Sequence, residues 1–327
     1  MMAHNSRQRG AALLIVLMIV ALVSIMATEM GGRLQMQVQR ATTIKDNNQA
    51  YWYAMSAEAF AKKSIHTLLE KEDDVVNLGQ DWNKEFTFPL EGGGIQAELV
   101  DMQSCFNLNA LYQETTTAGT ANTDAQLAFQ SLLTKANINV PEFSAEVLRD
   151  ALADWLDSDS DIRAYGAEDS DYESLPHPYL AANALMADKS ELRLVYGVDM
   201  QWFEKLLPLV CAIPGDSELK INVNTLKEEQ APILAALTGI STESATNLIA
   251  SRGDDGYSKI ANFFAEPEIS AVNLSEEKKA WFDVTSRHFI LYSKTQYNNA
   301  VFSMASLLAI NDNMEVTVIR REFGGRK

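Results

Sequence analysis

The junction Arg9-Gly10-Ala11 separates a short basic segment from an unbroken apolar run, and that transition constrains this chain more than any other feature. Residues 1–10 carry Arg7 and Arg9 and no acid. From Ala11 to Ala27 there is no ionisable side chain, and Ser24 is the only polar one. A helix rising ~1.5 Å per residue would cover roughly 26 Å over that stretch, close to the ~30 Å hydrocarbon core of a bilayer. Arginines before the run and acid-rich sequence after it orient the segment with its amino end in the cytoplasm. Everything beyond residue 30 is therefore expected outside the cytoplasmic membrane.

Three readings compete for the segment. A secretory signal needs a shorter apolar core and a small-x-small cleavage site, for which Ala21-Leu22-Val23-Ser24 is a poor fit. A plain single-span anchor needs only the apolar run. The third uses Gly10: the short basic leader ending in glycine resembles that of type IV pilins and pseudopilins, which is cut before the apolar helix. Cleavage there would free the amine of Ala11 and keep the whole rod. The resemblance also implies methylation of that amine. Most pilin-like subunits carry glutamate at the fifth residue after the cut, and here that position is Ile15. An unpaired charge in hydrocarbon is costly, so isoleucine suits a subunit with no neighbour above it, at a filament tip.

The chain has 327 residues, room for about two domains. Its 47% hydrophobic content is that of a globular protein rather than a disordered one. The formal charge of −17 repels nucleic-acid backbones and favours cations or basic partners. Cys105 and Cys211 are the only two cysteines. In an exported chain an isolated pair reads as one disulfide, against the alternative of two buried thiols.

Beyond the membrane run the helix is expected to continue, with Leu34, Val38, Ala41, Ile44, Trp52, Met55, Ala59 and Leu69 at near-helical spacing. Gly31-Gly32 is a weak point, costing about 1 kcal/mol per glycine relative to alanine. Alternating runs at Trp82–Leu90 and Ile95–Met102, joined by Glu91-Gly92-Gly93-Gly94, predict a hairpin. A polar linker follows from Gln113 to Asn122. Helices are predicted over 124–136, 144–156, 190–196, 199–207, 225–237, 241–252 and 257–265, with Ser144, Ser190 and Thr225 as N-caps. Strands return at 284–294, 297–309 and 313–322. Strands at both ends, separated by helices, predict an α+β fold with a large helical insertion.

That order, with Asn107-Leu108-Asn109, Asp154-Trp155-Leu156-Asp157-Ser158-Asp159, Gly166-Ala167-Glu168-Asp169, Tyr172 and Asn222-Val223-Asn224-Thr225, resembles the K-type minor pseudopilins of type II secretion systems. The resemblance implies a pilin-like fold, a long N-terminal helix packed on an antiparallel sheet, with a large inserted all-α domain. It divides the chain into a leader (1–10), the membrane part of the helix (11–28), a periplasmic helix and first strands (29–110), the insert (111–282) and C-terminal strands (283–327). It also implies single-pass anchoring in the inner membrane with the bulk in the periplasm. The implied partners are prepilin peptidase, the I- and J-type minor pseudopilins, the H type and the pseudopilus.

The densest acidic segment runs from Asp154 to Glu173. Asp157, Asp159, Asp161 and Glu168 stand at the first, third, fifth and twelfth places of an EF-hand loop, but Ile162 replaces the required glycine at the sixth. Pro176 and Pro178 follow where an exiting helix should start. An EF-hand proper is therefore rejected, and a calcium loop of another shape is weighed against a solvated acidic loop. Crowded carboxylates repel unless protonated or neutralised, and Ca²⁺ takes six to eight oxygens in flexible geometry. Carried over from the resemblance, the ligands of one or two structural Ca²⁺ ions would be Asp157, Asp159, Glu168 and Asp169, with Asp161 and Asp171 as further candidates.

Leu237-Thr238-Gly239-Ile240, Ala245, Leu248-Ile249, Arg252, Gly256-Tyr257 and Phe263 resemble a helix-hairpin-helix repeat. Arg252 and Lys259 are surrounded by Asp254, Asp255, Glu243 and Glu266, which opposes phosphate binding. The expected role is helical packing, with no nucleic-acid partner. No G-x-S-x-G, P-loop or HExxH motif is present, and histidines at 4, 66, 177 and 288 form no triad pattern, so no enzyme is expected. The competing functions are a membrane-anchored periplasmic binding module and a DNA-uptake pilin-like protein.

Overall fold

A computed structural model describes residues 9–71, 74–114, 121–136, 138 and 140–324. The leader residues 1–8 and most of the predicted polar linker lie outside the described residues. The elements are helices α1 (Arg9–Lys71), α2 (Asp124–Lys135), α3 (Glu142–Leu156), α4 (Asp169–Glu173), α5 (Met200–Leu206), α6 (Ala231–Thr238), α7 (Thr242–Arg252), α8 (Ile260–Phe264), α9 (Pro267–Ser270) and α10 (Glu276–Lys279). The strands are β1 (Phe86–Leu90), β2 (Gly93–Asp101), β3 (Phe106–Asn107), β4 (Val210–Cys211), β5 (Ile221–Asn222), β6 (Phe282–Asp283), β7 (His288–Tyr297), β8 (Ala300–Ile310) and β9 (Val316–Phe323).

Five strands form one antiparallel sheet in the order β1-β2-β7-β8-β9. β2 and β7 pair along their whole length, from Gly93 opposite Tyr297 to Asp101 opposite Phe289. The chain therefore leaves the sheet after Asp101 and returns at His288, and everything between is an excursion from a continuous sheet. Strict in–out alternation along β7 puts Phe289, Leu291, Ser293 and Thr295 on the face covered by α1.

The lower half of α1 lies against that face mainly through alanines, and of the near-helical set that signalled the helix Leu69 is among the buried residues. The buried positions are Ala50, Ala54, Ala57, Ala61, Ile65 and Leu69, whereas Leu34, Val38, Ile44 and Trp52 point outward, Trp52 being 61% exposed. Alanines let the helix axis approach the sheet closely, and larger residues there would hold it off. Polar ties fix its register. Thr295 Oγ1 donates to the Ala50 carbonyl at 2.7 Å, and Tyr53 OH donates to Glu91 O at 3.0 Å. Glu58 accepts from Arg321 Nε and Nη2 at 2.7 and 2.8 Å and from Ser306 Oγ at 2.7 Å. Burial opposes ionisation of Glu58, but the hydrogen bonds from Arg321 and Ser306 and the Arg321 charge outweigh it and lower its pKa.

The excursion has its own apolar core, built around Phe106, Phe129, Leu132, Leu148, Leu152 and Leu234. It is mostly helical rather than purely so, because two-residue parallel pairs β3–β4 and β5–β6 stitch it together. Several predicted boundaries move. The hairpin strand begins at Phe86, since Asp81–Asn83 turns as a 3-10 helix. Thr123, with Gln126 in a reciprocal capping box, caps α2. Pro141 precedes α3, so Ser144 falls inside its first turn. Lys189–Leu194 is a 3-10 turn capped by Asp188, whose Oδ1 accepts from Ser190 N at 2.8 Å. Thr225 caps no helix; its hydroxyl goes to Asp101 instead.

Candidate functional site

The acidic segment begins where α3 ends. Asp154 and Asp157 project from its last turn, where the helix's partial charge is negative and no basic residue balances it. The chain then runs through an irregular loop and doubles back so that Glu168 enters α4. Carboxylate oxygens of Asp157, Asp159 and Glu168 come within 4.8 Å of one another. Asp157 and Glu168 are buried and Asp159 is half-buried. Burial pushes the Glu168 carboxyl up to about 8, and the charges of Asp154, Asp157, Asp169 and Asp159 act in the same direction. Among the described residues neither Glu168 carboxylate oxygen has a hydrogen-bond partner. A buried carboxylate without a donor is costly, and an all-oxygen carboxylate set fits a hard cation such as Ca²⁺.

The other predicted ligands have different engagements. Asp169 Oδ1 accepts from Ala181 N at 3.0 Å, and Asp171 Oδ2 accepts from Glu168 N at 3.1 Å. The Asp161 amide donates to Asp159 Oδ1 at 2.8 Å, and its side chain is exposed. A further buried carboxylate beside this group, absent from the expected set, is Asp154. It is fully buried, and burial pushes its carboxyl up to about 7 against the opposing Arg163 amide and charge. Its Oδ2 accepts from Arg163 N at 3.2 Å, and Oδ1 lies 3.5 Å from Arg163 Nε. The spacing of Asp154 and Asp157 on one helical turn was the signal available in the sequence. Gly166 is the other: a Cβ there would sit 1.7 Å from Asp154 Oδ2, so only glycine lets the loop cross so closely.

Rings floor the site. Trp155 and Tyr172 meet edge-to-face with centroids 5.3 Å apart, and Tyr172 OH accepts from Tyr196 N at 3.1 Å. Elsewhere the repeated asparagines are structural. Asn109 brackets Met186, donating to its carbonyl at 3.0 Å and accepting its amide at 2.8 Å. Asn224 brackets Tyr257 the same way, at 2.9 and 2.7 Å. Cys105 and Cys211 form a disulfide beside the β3–β4 pair.

The helix-hairpin-helix echo is α6 and α7. Lys135 Nζ donates to the Ala235 and Ile240 carbonyls at 3.0 and 3.2 Å, closing that hairpin from outside. The Arg252 guanidinium donates inward to the carbonyls of Val223 and Leu226. Both cations serve packing.

The remaining functional element is α1 itself. It is a single helix from Arg9 through the Gly31-Gly32 pair to Lys71, with no change of element at the glycines. Its Ala11–Glu70 portion contains one span long and apolar enough to cross a membrane, and none of that span is buried in the protein. The Gly10–Ala11 junction, where cleavage is expected, lies at the helix start, and residues 1–8 before it are outside the described residues.

Comparison with known proteins places this arrangement. A family model described as type II secretion system (T2SS), protein K matches residues 104–215, and a second of the same description matches residues 221–285. The type II secretion system protein K of Aeromonas hydrophila is 35% identical over 98% of both chains. That of Klebsiella pneumoniae is also 35% identical, again over 98% of both. A chain in the crystal structure of the GspK-GspI-GspJ complex from enterotoxigenic Escherichia coli superposes with a TM-score of 0.76 at 32% identity, covering 89% of this chain and 100% of that one. The helix-on-sheet body, the inserted helical domain and these relatives agree: the chain belongs to the type II secretion system protein K family.

Proposed function

We propose that this chain is a minor pseudopilin at the tip of the type II secretion pseudopilus, where it joins I- and J-type minor pseudopilins, with the H type below, to start filament assembly. The observation that carries this reading is the outward apolar face of α1. Leu34, Val38 and Trp52 continue the exposed run of Ala11–Ala27 on the side of the helix turned away from its own sheet. A partner's N-terminal helix running alongside would bury that face, first in lipid and then in the growing filament. Ile15 and the bulky insert fit a subunit that receives no neighbour above it. The chain would be held in the inner membrane by α1, with residues beyond about 30 in the periplasm, after prepilin peptidase cuts between Gly10 and Ala11. Native protein purified from membranes should begin at Ala11, with a methylated amine; a mature terminus elsewhere removes the pseudopilin assignment.

Asp157, Asp159 and Glu168 would hold Ca²⁺, with Asp154 behind them. The ion would neutralise carboxylates that burial otherwise drives towards protonation, so its role is structural. Chelation should lower the melting temperature and open the 157–173 segment to protease; unchanged melting and cleavage would count against the metal centre. No step of this function is enzymatic: the free energy comes from burying apolar helix surface.

A further inference from the structure

The acidic loop carries a second feature that faces solvent. Phe143, on the first turn of α3, is 62% exposed, and Tyr165, inside the loop, is 44% exposed. Their rings meet edge-to-face with centroids 5.4 Å apart. Val147 stands one turn further along the same face of α3, and its side chain lies against the backbone of Gly197, where a Cβ would be 2.9 Å from Val147 Cγ1. Beside that glycine is Tyr196, 46% exposed. Phe143 and Val147, one helical turn apart, thus link Tyr165 to the Tyr196–Gly197 backbone along one strip of the insert surface that carries three exposed rings.

The strip rests on the cation loop at both ends. Tyr165 lies between Asp159 and Glu168, and its amide donates to Asp150 Oδ2 at 3.2 Å. Tyr196 is tied through its amide to the hydroxyl of Tyr172, which belongs to the short helix that Glu168 opens. Loop order therefore sets the spacing of the two exposed tyrosines. The surroundings are acidic: Glu142 and Glu146 alternate with Phe143 and Val147 along α3, and Asp161 is exposed in the loop. Of the nearby cations, Arg163 is buried and Arg149 is paired with Asp150 at 2.7 Å, which leaves Arg193 among the described residues. Exposed aromatic rings with a charged rim are the composition of a protein-binding surface rather than of a solvated loop.

We infer that Phe143, Val147, Tyr165 and Tyr196 form a cation-gated docking surface whose occupant is a protein segment with an apolar anchor flanked by lysine or arginine. The acidic rim selects the basic flanks, and the rings take the anchor. The gating rests on the calcium reading above; the surface itself rests on the exposed rings. The occupant is a protein other than the helices that cover α1, because the strip lies on the insert.

The test uses the full chain in detergent and a synthetic twelve-residue peptide of Lys, Arg, Leu and Trp, with a Glu/Asp counterpart as comparison. Anisotropy should show the basic peptide binding in saturating Ca²⁺, with affinity falling about tenfold on chelation. The Phe143→Ser/Tyr165→Ser double variant should lose about tenfold while calorimetry shows its Ca²⁺ binding unchanged. Both positions are exposed, and a Glu142→Lys/Glu146→Lys variant, which leaves the rings intact, should shift preference towards the acidic peptide. Equal affinity in wild type and the ring variant overturns the surface. Affinity that ignores chelation while Ca²⁺ binds overturns the gating. Failure of Ca²⁺ to bind the wild type removes the metal reading, and with it the gating, but leaves the ring variant to decide the surface.

Discussion

In the helix-on-sheet body, α1 meets the strands through Ala50, Ala54, Ala57 and Ala61, whereas the insert closes around Phe129, Trp155, Tyr172 and Phe203. The body gains its close approach from small residues and a regular sheet ladder, and its few polar ties sit at defined heights along the helix. The insert has short helices and only two-residue strands, so its long connections need other restraints. It uses a disulfide and bracketing asparagines that join residues far apart in sequence, and a carboxylate cluster gathered within one loop. The difference teaches that a regular ladder fixes geometry by itself, while an irregular domain needs point restraints, and each restraint is a place where it can be undone.

Removing the disulfide should have the largest effect and should fall on the insert alone. Closing a loop of 106 residues is worth up to ~4.7 kcal/mol in the chain-entropy model. Cys105→Ser/Cys211→Ser should therefore cost the insert about 3–4 kcal/mol, visible in denaturant unfolding followed by Trp155 and Trp202 fluorescence. Hydrogen exchange of β7 and β8 should stay near wild type. Equal loss of protection in both regions would show that they unfold as one unit and would break the comparison.

The joint between the two regions should be next. Asp101, the last residue of β2, is buried and accepts from Thr225 Oγ1 at 2.5 Å, Ser286 Oγ at 2.6 Å and Gln103 N at 2.8 Å. Burial pushes its carboxyl up to about 6 from 3.8, against those three donors. The folded state thus holds the proton more tightly than the unfolded one. Its stabilising share is whole below pH ~3.8 and is lost as pH rises through about 6. At 1.36 kcal/mol per unit the loss is about 3 kcal/mol. Stability of the wild type minus that of Asp101→Asn should fall between pH 4 and pH 6.5 and then level off. A difference independent of pH would mean that Asp101 stays ionised throughout. The comparison must be run at constant Ca²⁺, because Asp154 and Glu168 shift in the same direction.

How much of this could be read beforehand follows from the same contrast. The strands of the body were legible because β7 alternates with period two and β8 is a long apolar run. The helix of α1 was legible from the near-helical spacing of Leu34, Val38, Trp52 and Leu69, but not which side meets the sheet, because the residues that do so are mostly alanines, which carry little hydrophobic signal. The acidic loop was legible by density, and Asp157, Asp159 and Glu168 do converge. Which carboxylates converge is decided by the chain reversal at Gly166 and by the end of α3, neither of which spacing encodes. Ser144 and Thr225 looked like caps because their chemistry fits; α3 instead starts straight after Pro141, and the Thr225 hydroxyl is taken up by Asp101.

The smallest effect on the monomer should be the most informative about the body. Trp52 is exposed on the face of α1 opposite the sheet, so Trp52→Ala removes no buried contact and should change stability by less than ~0.5 kcal/mol. The inward counterpart, Ala54→Leu, forces methylenes between helix and sheet and should cost about 1–3 kcal/mol. If the outward face exists for assembly, the order reverses when recovery with I- and J-type partners from membranes is measured. Trp52→Ala should then reduce complex yield several-fold, while a folded fraction of Ala54→Leu retains it. A Trp52→Ala protein that assembles as well as wild type would leave the outward residues of α1 without a partner, and the two faces of that helix could no longer be assigned to two different jobs.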